Sequence, residues 1–390
     1  MKKLILPAIF ILVFLSACGR QTPVEAPEYI TEPDQIVEEP LLITEDEPPA
    51  EPEPPPYPTY EPEYIPDEIA YFPRIDHAAI DFSSLIFPCN TPHGYIGHRY
   101  VRHISRYLPS RVAFTYRELD TALWLVEMLH AKGFCESLVY MQTFSLDCVT
   151  EWEGYFFREL PGPHDVRQLG WTDGHKLRDY SQNIIVTIPG QSMQTIIIGA
   201  HYDSLRYPGT SDNASGTALL MENAQRMLNQ DNYYTLVYVF FGGHEVGMLG
   251  GFYFYNSLSQ EQRENTLIFI QADVLIEGPQ LVFSTGYTWD LNQNALSEQM
   301  ATVIESFSEA HEISIHQAPV MGSEKWLFLY KGHTTLAFWG VDPVRFTNFL
   351  HSERDCYEYI SAMFPGMIER TMNAYALILE AVLLENNFNW

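Results

Sequence analysis

The chain has 390 residues, 46% of them hydrophobic, so it is long enough to bury at least one large core. Its 22 basic and 50 acidic residues give a formal net charge of −28. Because the chain is strongly acidic and no patch of lysine and arginine was found in the sequence, we expect no nucleic acid among its partners.

The first residues have the pattern of a lipoprotein export signal. Two lysines precede an almost wholly apolar run from Leu4 to Leu15, and Leu15-Ser16-Ala17-Cys18 resembles a lipobox. The run is short for a helix that spans a bilayer. We therefore predict a signal peptide over residues 1–17 and a lipid on Cys18, which would anchor the protein outside the cytoplasm on a bacterial cell membrane.

Residues 18–72 have the composition of a disordered linker. No lysine or arginine occurs from Gln21 to Phe72, and acidic residues alternate with prolines, as in Glu51-Pro52-Glu53-Pro54-Pro55-Pro56. Such a segment cannot bury enough apolar surface to fold, and it holds much of the net charge. We expect it to keep a folded domain, residues 73–390, away from the membrane.

Apolar periodicity predicts alternating helices and strands in this domain. In chain order these are a helix over 116–132, strands over 137–144, 183–188 and 195–199, a helix over 216–228, strands over 234–241, 266–272 and 280–284, and helices over 294–311 and 364–384. Residues 150–180 are interpreted as an irregular insertion of unassigned role. Strands that are apolar throughout and alternate with helices predict an α/β fold whose sheet is covered on both faces.

Four cysteines remain after Cys18, and their number does not fix a disulfide pattern. An exported protein can form bridges, but an even count leaves the pairing open. No two cysteines have the CxxC spacing, which disfavours a zinc site made of cysteines. The four are Cys89, Cys135, Cys148 and Cys356.

Polar residues that can bind metal follow the predicted strands. His201 and Asp203 come after the strand 195–199 and should point to the same side, where Asp203 could orient the imidazole of His201. Asp212 precedes the helix 216–228, so its carboxylate could either cap that helix or bind a metal.

The next two strands are followed by the same kinds of residue. His244 and Glu245 stand among glycines after the strand 234–241, Asp273 follows the strand 266–272, and His351 lies on a loop before the last helix. Each could be structural when taken singly. Together at successive strand ends they form a nitrogen and oxygen donor set that suits zinc.

From about Arg111 to its end, the sequence resembles the M28 family of zinc peptidases, which includes bacterial aminopeptidases. The likeness implies a mixed, mostly parallel β-sheet flanked by helices on both faces, and two zinc ions bridged by Asp212. His201 and Asp273 would complete one zinc site, Glu245 and His351 the other, with Asp203 behind His201. It is carried by the segments His201-Tyr202-Asp203-Ser204 and Ser211-Asp212-Asn213-Ala214-Ser215-Gly216, by the glycine-rich segment around Glu245, and by Asp273, His351 and Asp355.

Two segments depart from the family pattern. Members usually have two adjacent glutamates after the strand that here spans 234–241, and the first of them acts as general base. This chain has His244 before Glu245 instead. Gly322-Ser323-Glu324-Lys325 resembles a variant of the family's Ser-Asp-His element. A neutral imidazole can accept a proton, but nearby zinc ions oppose its protonation, so we expect slow turnover or none.

These observations leave three functional hypotheses. The first is removal of N-terminal residues from extracellular peptides by a water that bridges two zinc ions. The second is a metal-binding surface protein without catalysis, which the histidine at position 244 favours. The third is a transferase that cyclises N-terminal glutamine, as relatives with the same fold do. The protein is expected to act as a monomer.

Overall fold

The computed structural model describes residues 85–88, 90–145, 178–286, 294–319, 323–342 and 349–385. The predicted signal peptide, the linker, the start of the domain and most of the insertion therefore lie outside the described residues. So do Cys89 and Cys148. Cys135 is exposed and Cys356 is buried, and neither forms a disulfide within the described part of the chain.

The described strands form one mixed sheet in the order β1-β2-β4-β3-β5-β8-β6-β7. The four central strands, β4, β3, β5 and β8, are parallel to one another, while β1, β2 and β6 pair with antiparallel neighbours. This confirms the predicted mixed, mostly parallel sheet. The strands are β1 (Val139–Ser145), β2 (Tyr180–Ile188), β3 (Thr195–His201), β4 (Thr235–Phe241), β5 (Thr266–Ala272), β6 (Gln280–Ser284), β7 (Ile315–Gln317) and β8 (Thr334–Val341).

Helices connect these strands, and a short π-helical turn, Thr210–Ala214, precedes the third helix. Across the described ranges, none of them has both the length and the apolar character needed to cross a bilayer. They are α1 (Tyr95–Tyr107), α2 (Tyr116–Ala131), α3 (Ser215–Met227), α4 (Leu249–Ser257), α5 (Gln260–Asn265), α6 (Ala295–Ala310), α7 (Lys325–Tyr330), α8 (Tyr357–Met363) and α9 (Met367–Leu384).

The two faces of the sheet pack against different helices. Ile196 and Ile198 of β3 join the large core formed with α1, α2, α3, α6 and α9, on what we call the α3 face. Ile197 points the other way, into a smaller core with Phe269 of β5 and Phe328 of α7, on the α7 face. Each fully buried apolar side chain of this kind contributes about 1.5–3 kcal/mol, so both faces hold the sheet in place.

The predicted last helix, 364–384, begins three residues later than expected, at Met367. Phe364-Pro365-Gly366 separates it from α8, a short helix that was not predicted. Pro365 lacks an amide hydrogen, and Gly366 has φ 71°, a left-handed conformation that glycine adopts without strain. The other predicted helices and strands are present, with ends shifted by at most a few residues.

The expectation that lysine and arginine form no cluster was wrong. Arg99, Arg102 and Arg106 lie along one side of α1 and line a small groove with Leu85 and Tyr107. Basic residues are therefore clustered on this helix, although the guanidinium of Arg106 donates to the carboxylate of Glu358 at 2.6 Å. The absence of a nucleic-acid partner stays a prediction.

Candidate metal centre

The parallel strands bring the predicted ligands to one edge of the sheet. His201 is the last residue of β3, Glu245 follows β4, and Asp273 follows β5. The carboxyl ends of these three strands meet at the same edge, where side chains of an α/β sheet can share a site. His201 Nε2 lies 3.4 Å from Asp273 Oδ1.

Asp212 lies between two groups of these residues. One carboxylate oxygen, Oδ1, is 3.1 Å from His201 Nε2, while Oδ2 is 2.9 Å from His351 Nε2. His351 Nε2 is in turn 3.5 Å from Glu245 Oε2. One carboxylate therefore faces a pair made of His201 and Asp273 through one oxygen, and a pair made of His351 and Glu245 through the other.

The donor atoms fit a metal better than they fit one another. His201 Nε2, Glu245 Oε1 and Asp273 Oδ1 are buried and have no hydrogen-bond partner in the structure. Donor atoms of His201, Asp212 and Glu245 all lie within 4.8 Å of one another, as do those of His201, His244 and Asp273. Buried polar atoms without partners are rare and often mark a bound ion or water.

The charges point the same way. Burial acts to raise the pKa of Asp212, but the imidazoles of His201 and His351 beside it outweigh that effect and hold the pKa well below its usual range. Burial raises the pKa of Glu245 to about 7, and the charge of Asp212 adds to this rise. Two carboxylates in a dry site repel each other, and a divalent cation would relieve that repulsion.

Asp355 fixes the turn that carries Asp212. Its buried carboxylate accepts the backbone N–H groups of Ser211 at 2.6 Å and Asp212 at 3.1 Å. Burial raises the pKa of Asp355 to about 7. The backbone at Asp212 is thus held by Asp355, and it is Asn213 Oδ1, rather than the Asp212 carboxylate, that accepts the N–H of Gly216 in the first turn of α3 at 2.8 Å.

Asp203 contacts His201 and also holds the turn after β4. His201 Nδ1 donates to the backbone carbonyl of Asp203 at 3.1 Å, and the Asp203 carboxylate lies 3.6 Å from the same nitrogen, within ion-pair distance. The carboxylate also accepts the N–H groups of His244 at 3.1 Å and Glu245 at 3.0 Å. The proton on Nδ1 leaves His201 Nε2 free to face the cluster, and the Asp203 carboxylate secures the turn after β4.

His244 is paired with a carboxylate that is remote in sequence. Its Nδ1 lies 2.8 Å from Oε1 of the fully buried Glu324, 80 residues away, and its ring stacks on His201 with 3.8 Å between centroids. Burial acts to lower the pKa of His244, but the charge of Glu324 outweighs it and raises the pKa to about 9. The two departures from the family pattern are therefore one interacting pair.

Two supporting residues were missed from the sequence. Buried Arg111 donates to four backbone carbonyls, three of them between Tyr202 and Gly209. Buried Glu118, on α2, accepts the N–H of Gly243 at 3.0 Å. Neither residue belongs to a local motif. The only signal in the sequence was a charged residue near apolar ones, just before α2 for Arg111 and within α2 for Glu118.

The parallel sheet and a carboxylate that faces two histidines define an α/β protein with a candidate metal centre. Residues 183–376 match the model of peptidase family M28. That segment, which contains His201, Asp212, Glu245, Asp273 and His351, is therefore similar to members of this family. Their role as metal ligands stays a prediction.

Individual proteins are also similar to this chain. The chain is 26% identical over 208 residues to the alkaline phosphatase isozyme conversion protein of Escherichia coli, covering 50% of this chain and 54% of that protein. It is 30% identical over 129 residues to the probable lipoprotein aminopeptidase LpqL of Mycobacterium tuberculosis, covering 33% and 25%. The chain thus spans about half or less of the length of these curated relatives.

Solved structures share the fold. A zinc aminopeptidase from Bacillus subtilis superposes with a TM-score of 0.57 at 14% identity, covering 76% of this chain and 99% of that one. A glutaminyl cyclase from Bacteroides thetaiotaomicron superposes with a TM-score of 0.55 at 17% identity, covering 75% and 97%. At these identities the likeness establishes the fold and does not separate the two activities.

Proposed function

We propose that the protein is a zinc-dependent aminopeptidase that removes N-terminal residues from extracellular peptides. The observation that carries the proposal is the position of Asp212, whose two oxygens lie 3.1 Å from His201 Nε2 and 2.9 Å from His351 Nε2. Each of these histidines lies 3.4–3.5 Å from a second carboxylate. Such an arrangement suits two ions that share one carboxylate. The match of residues 183–376 to the model of family M28 supports a peptidase.

Two zinc ions would be held by the residues that face Asp212. His201 and Asp273 would bind one, Glu245 and His351 the other, and Asp212 both. Bound zinc would supply Lewis acidity for the scissile carbonyl and for an attacking water. The side chain of His351 is 52% exposed, so this edge of the centre is open to a peptide.

His244 would accept the proton of the attacking water at Nε2. Its Nδ1 is occupied by Glu324, which fixes the ring and leaves Nε2 on the side of the cluster. A buried carboxylate also stabilises the imidazolium that forms, which offsets the repulsion from the zinc ions. The pair favours a working site over the hypothesis of a metal-binding protein without catalysis.

The test of this function combines metal analysis with peptide hydrolysis. We expect the chain made without its lipid, as Cys18→Ser, to hold two zinc ions and to release N-terminal residues from amino-acyl amides and short peptides. Glu245→Ala should lose zinc and activity, whereas Glu264→Ala, at an exposed position on α5, should keep both. Bound zinc without turnover, with activity gained by His244→Glu, would favour the non-catalytic hypothesis.

The same assay separates hydrolysis from cyclisation. A peptide with N-terminal glutamine would yield free glutamine if the protein is a peptidase and a pyroglutamyl peptide if it is a glutaminyl cyclase. We expect free glutamine, because the curated relatives named above are described as an aminopeptidase or a conversion protein.

We also propose that Cys18 carries a lipid that holds the protein on the outer side of a bacterial cell membrane. The lipobox-like Leu15-Ser16-Ala17-Cys18 supports it, as does the description of one relative as a lipoprotein. Cys18→Ser should move the protein from the membrane fraction to the soluble fraction and abolish labelling by a radioactive fatty acid. Unchanged fractionation and labelling would contradict the anchor.

A further inference from the structure

Polar side chains are buried on the α7 face of the sheet, directly below the metal centre. Gln271 of β5 pairs in register with Ala337 of β8, which pairs with Ser284 of β6. Paired residues on adjacent strands point to the same face, so these three side chains form one row. Asp273 stands two residues beyond Gln271, on the same face.

Lys325 places a cation over this row. It is the first residue of α7, is 1% exposed, and donates from Nζ to Ser284 Oγ at 2.7 Å. It forms no ion pair with the described residues, and burial lowers its pKa to about 7. Burial without a carboxylate disfavours the ammonium form, and an anion bound here from outside the described chain would stabilise the charged lysine.

Gln271 supplies a second group without a partner. It is 1% exposed, and neither its Nε2 nor its Oε1 has a hydrogen-bond partner among the described residues. Over the same part of the chain, the hydroxyl of Thr335, one row further from the candidate metal centre on the same face, has no partner either. Buried amides nearly always bond to protein, water or ligand. Ala337, whose side chain is small, stands between Gln271 and Ser284 in this row.

The row lies within reach of a substrate at the metal centre. Two residues along a strand span about 7 Å, and adjacent strands are about 4.8 Å apart. A glutamate side chain extends from a peptide by a comparable length. Glu324, next to Lys325, contacts His244, so the segment that carries the lysine already reaches the site.

We propose that Lys325 and Gln271 form an anion subsite that selects peptides with an acidic N-terminal residue. The ammonium of Lys325 and the amide nitrogen of Gln271 would bind the side-chain carboxylate of that residue while its carbonyl lies at the metal centre. This inference rests on the proposed peptidase function and names its substrate class.

Binding of single amino-acid amides tests the subsite apart from catalysis. Glutamic acid α-amide and glutamine α-amide differ only in the side-chain charge, and neither has an α-carboxylate. By calorimetry on the zinc-loaded Cys18→Ser protein, we expect the glutamic acid amide to bind at least 10-fold more tightly. Lys325→Met should abolish the preference, and Lys331→Met, at the exposed end of α7, should keep it.

Hydrolysis of glutamyl and leucyl anilides distinguishes failure of the subsite from failure of the function. Hydrolysis of both with no preference for glutamyl, and equal binding of the two amides, would overturn the subsite alone. Selective binding of the glutamic acid amide without hydrolysis would keep the subsite and overturn the peptidase. A preference that survives Lys325→Met would also overturn the assignment.

A second variant covers the case in which Lys325→Met fails to fold. Gln271→Leu removes the amide and leaves the lysine, and we expect it to reduce the preference several-fold while the protein still unfolds cooperatively on heating. An unchanged preference in a folded Gln271→Leu protein would remove Gln271 from the subsite. If the wild type shows no preference, the row is a hydrated structural feature.

Discussion

The pairing of His244 with Glu324 shows how one residue change was accommodated by another. A histidine in place of a carboxylate loses a negative charge beside the predicted zinc ions. The buried carboxylate of Glu324 returns that charge through a hydrogen bond of 2.8 Å to the same ring. Glu324 thereby raises the pKa of the imidazole, and bound zinc ions would lower it again towards the working pH, at which a general base acts best.

The pair predicts a stability difference that depends on pH in the zinc-free protein. Glu324 outweighs burial and raises the pKa of His244 from 6.5 to about 9, and His244 outweighs burial and lowers that of Glu324 from 4.5 to about 2. The histidine's contribution is complete below pH 6.5 and lost as pH rises through 9. The glutamate's contribution is complete above pH 4.5 and lost as pH falls through 2.

Glu324→Gln should therefore cost most between these limits. Near pH 5.5 we expect a loss of about 3 kcal/mol in the free energy of unfolding, because a buried pair has been broken. The loss should shrink towards zero near pH 10. Urea unfolding of both proteins measures it, with exposed Glu305→Gln as control. The same loss at pH 5.5 and pH 10 would show that the pair is not ionised as described.

At the scale of elements, buried side chains near α2 hold the turns at the carboxyl edge of the sheet. Arg111 donates to the carbonyls of Tyr202, Pro208 and Gly209 at 2.6–2.9 Å, and so fixes the loop between β3 and Asp212. Glu118 does the same for the turn after β4. The metal centre therefore depends on a segment outside the stretch that matches family M28.

Arg111→Lys should separate this role from charge alone. Lysine keeps the charge but cannot reproduce the planar set of donors, so several buried carbonyls would lose their partners. We expect a loss of about 2–4 kcal/mol in the free energy of unfolding. Arg106→Lys, which alters an exposed ion pair with Glu358, should cost below about 1 kcal/mol. Equal losses in urea unfolding would contradict the loop-fixing role.

The sequence predicted the elements whose pattern is local. The strand ends at His201, Glu245 and Asp273 could be found because each follows an apolar run. Strand β8 was missed, since Thr334 and Thr335 begin it and Gly340 interrupts its end. Helix α1 was missed too, although Ile96, Tyr100 and Ile104 have helical spacing and are buried.

Contacts between distant segments could not be predicted in the same way. Glu324 lies 80 residues from His244, and Arg111 lies 91 residues from Tyr202. Nothing in the local composition relates such pairs. The spacing of two placed the Asp203 carboxylate near His201, where it lies 3.6 Å from Nδ1, but gave no sign of the two N–H groups that it accepts from the turn after β4.

At the scale of the whole molecule, the metal centre ties together segments from His201 to His351. The unfolded chain cannot hold these donors together, so the free energy of zinc binding would add to that of folding. Without zinc, the same buried carboxylates and orphaned donor atoms oppose folding. The stability of the domain should therefore depend strongly on the metal.

Removal of zinc should lower the melting temperature by about 10 °C for each ion lost. At free zinc about 1,000 times Kd, one ion contributes about 4 kcal/mol, and 1 kcal/mol shifts the melting temperature of a domain of this size by about 2–4 °C. Scanning calorimetry with and without a chelator measures the shift. Zinc should restore the original temperature and calcium should not, because histidine nitrogens are poor calcium ligands.

Asp212→Asn, which removes the negative charge of the carboxylate that faces both histidines, should lose most of the shift in melting temperature. Asp231→Asn, at an exposed position, should keep it. A melting temperature that changes neither with chelator nor with added zinc would show that the candidate metal centre does not bind zinc.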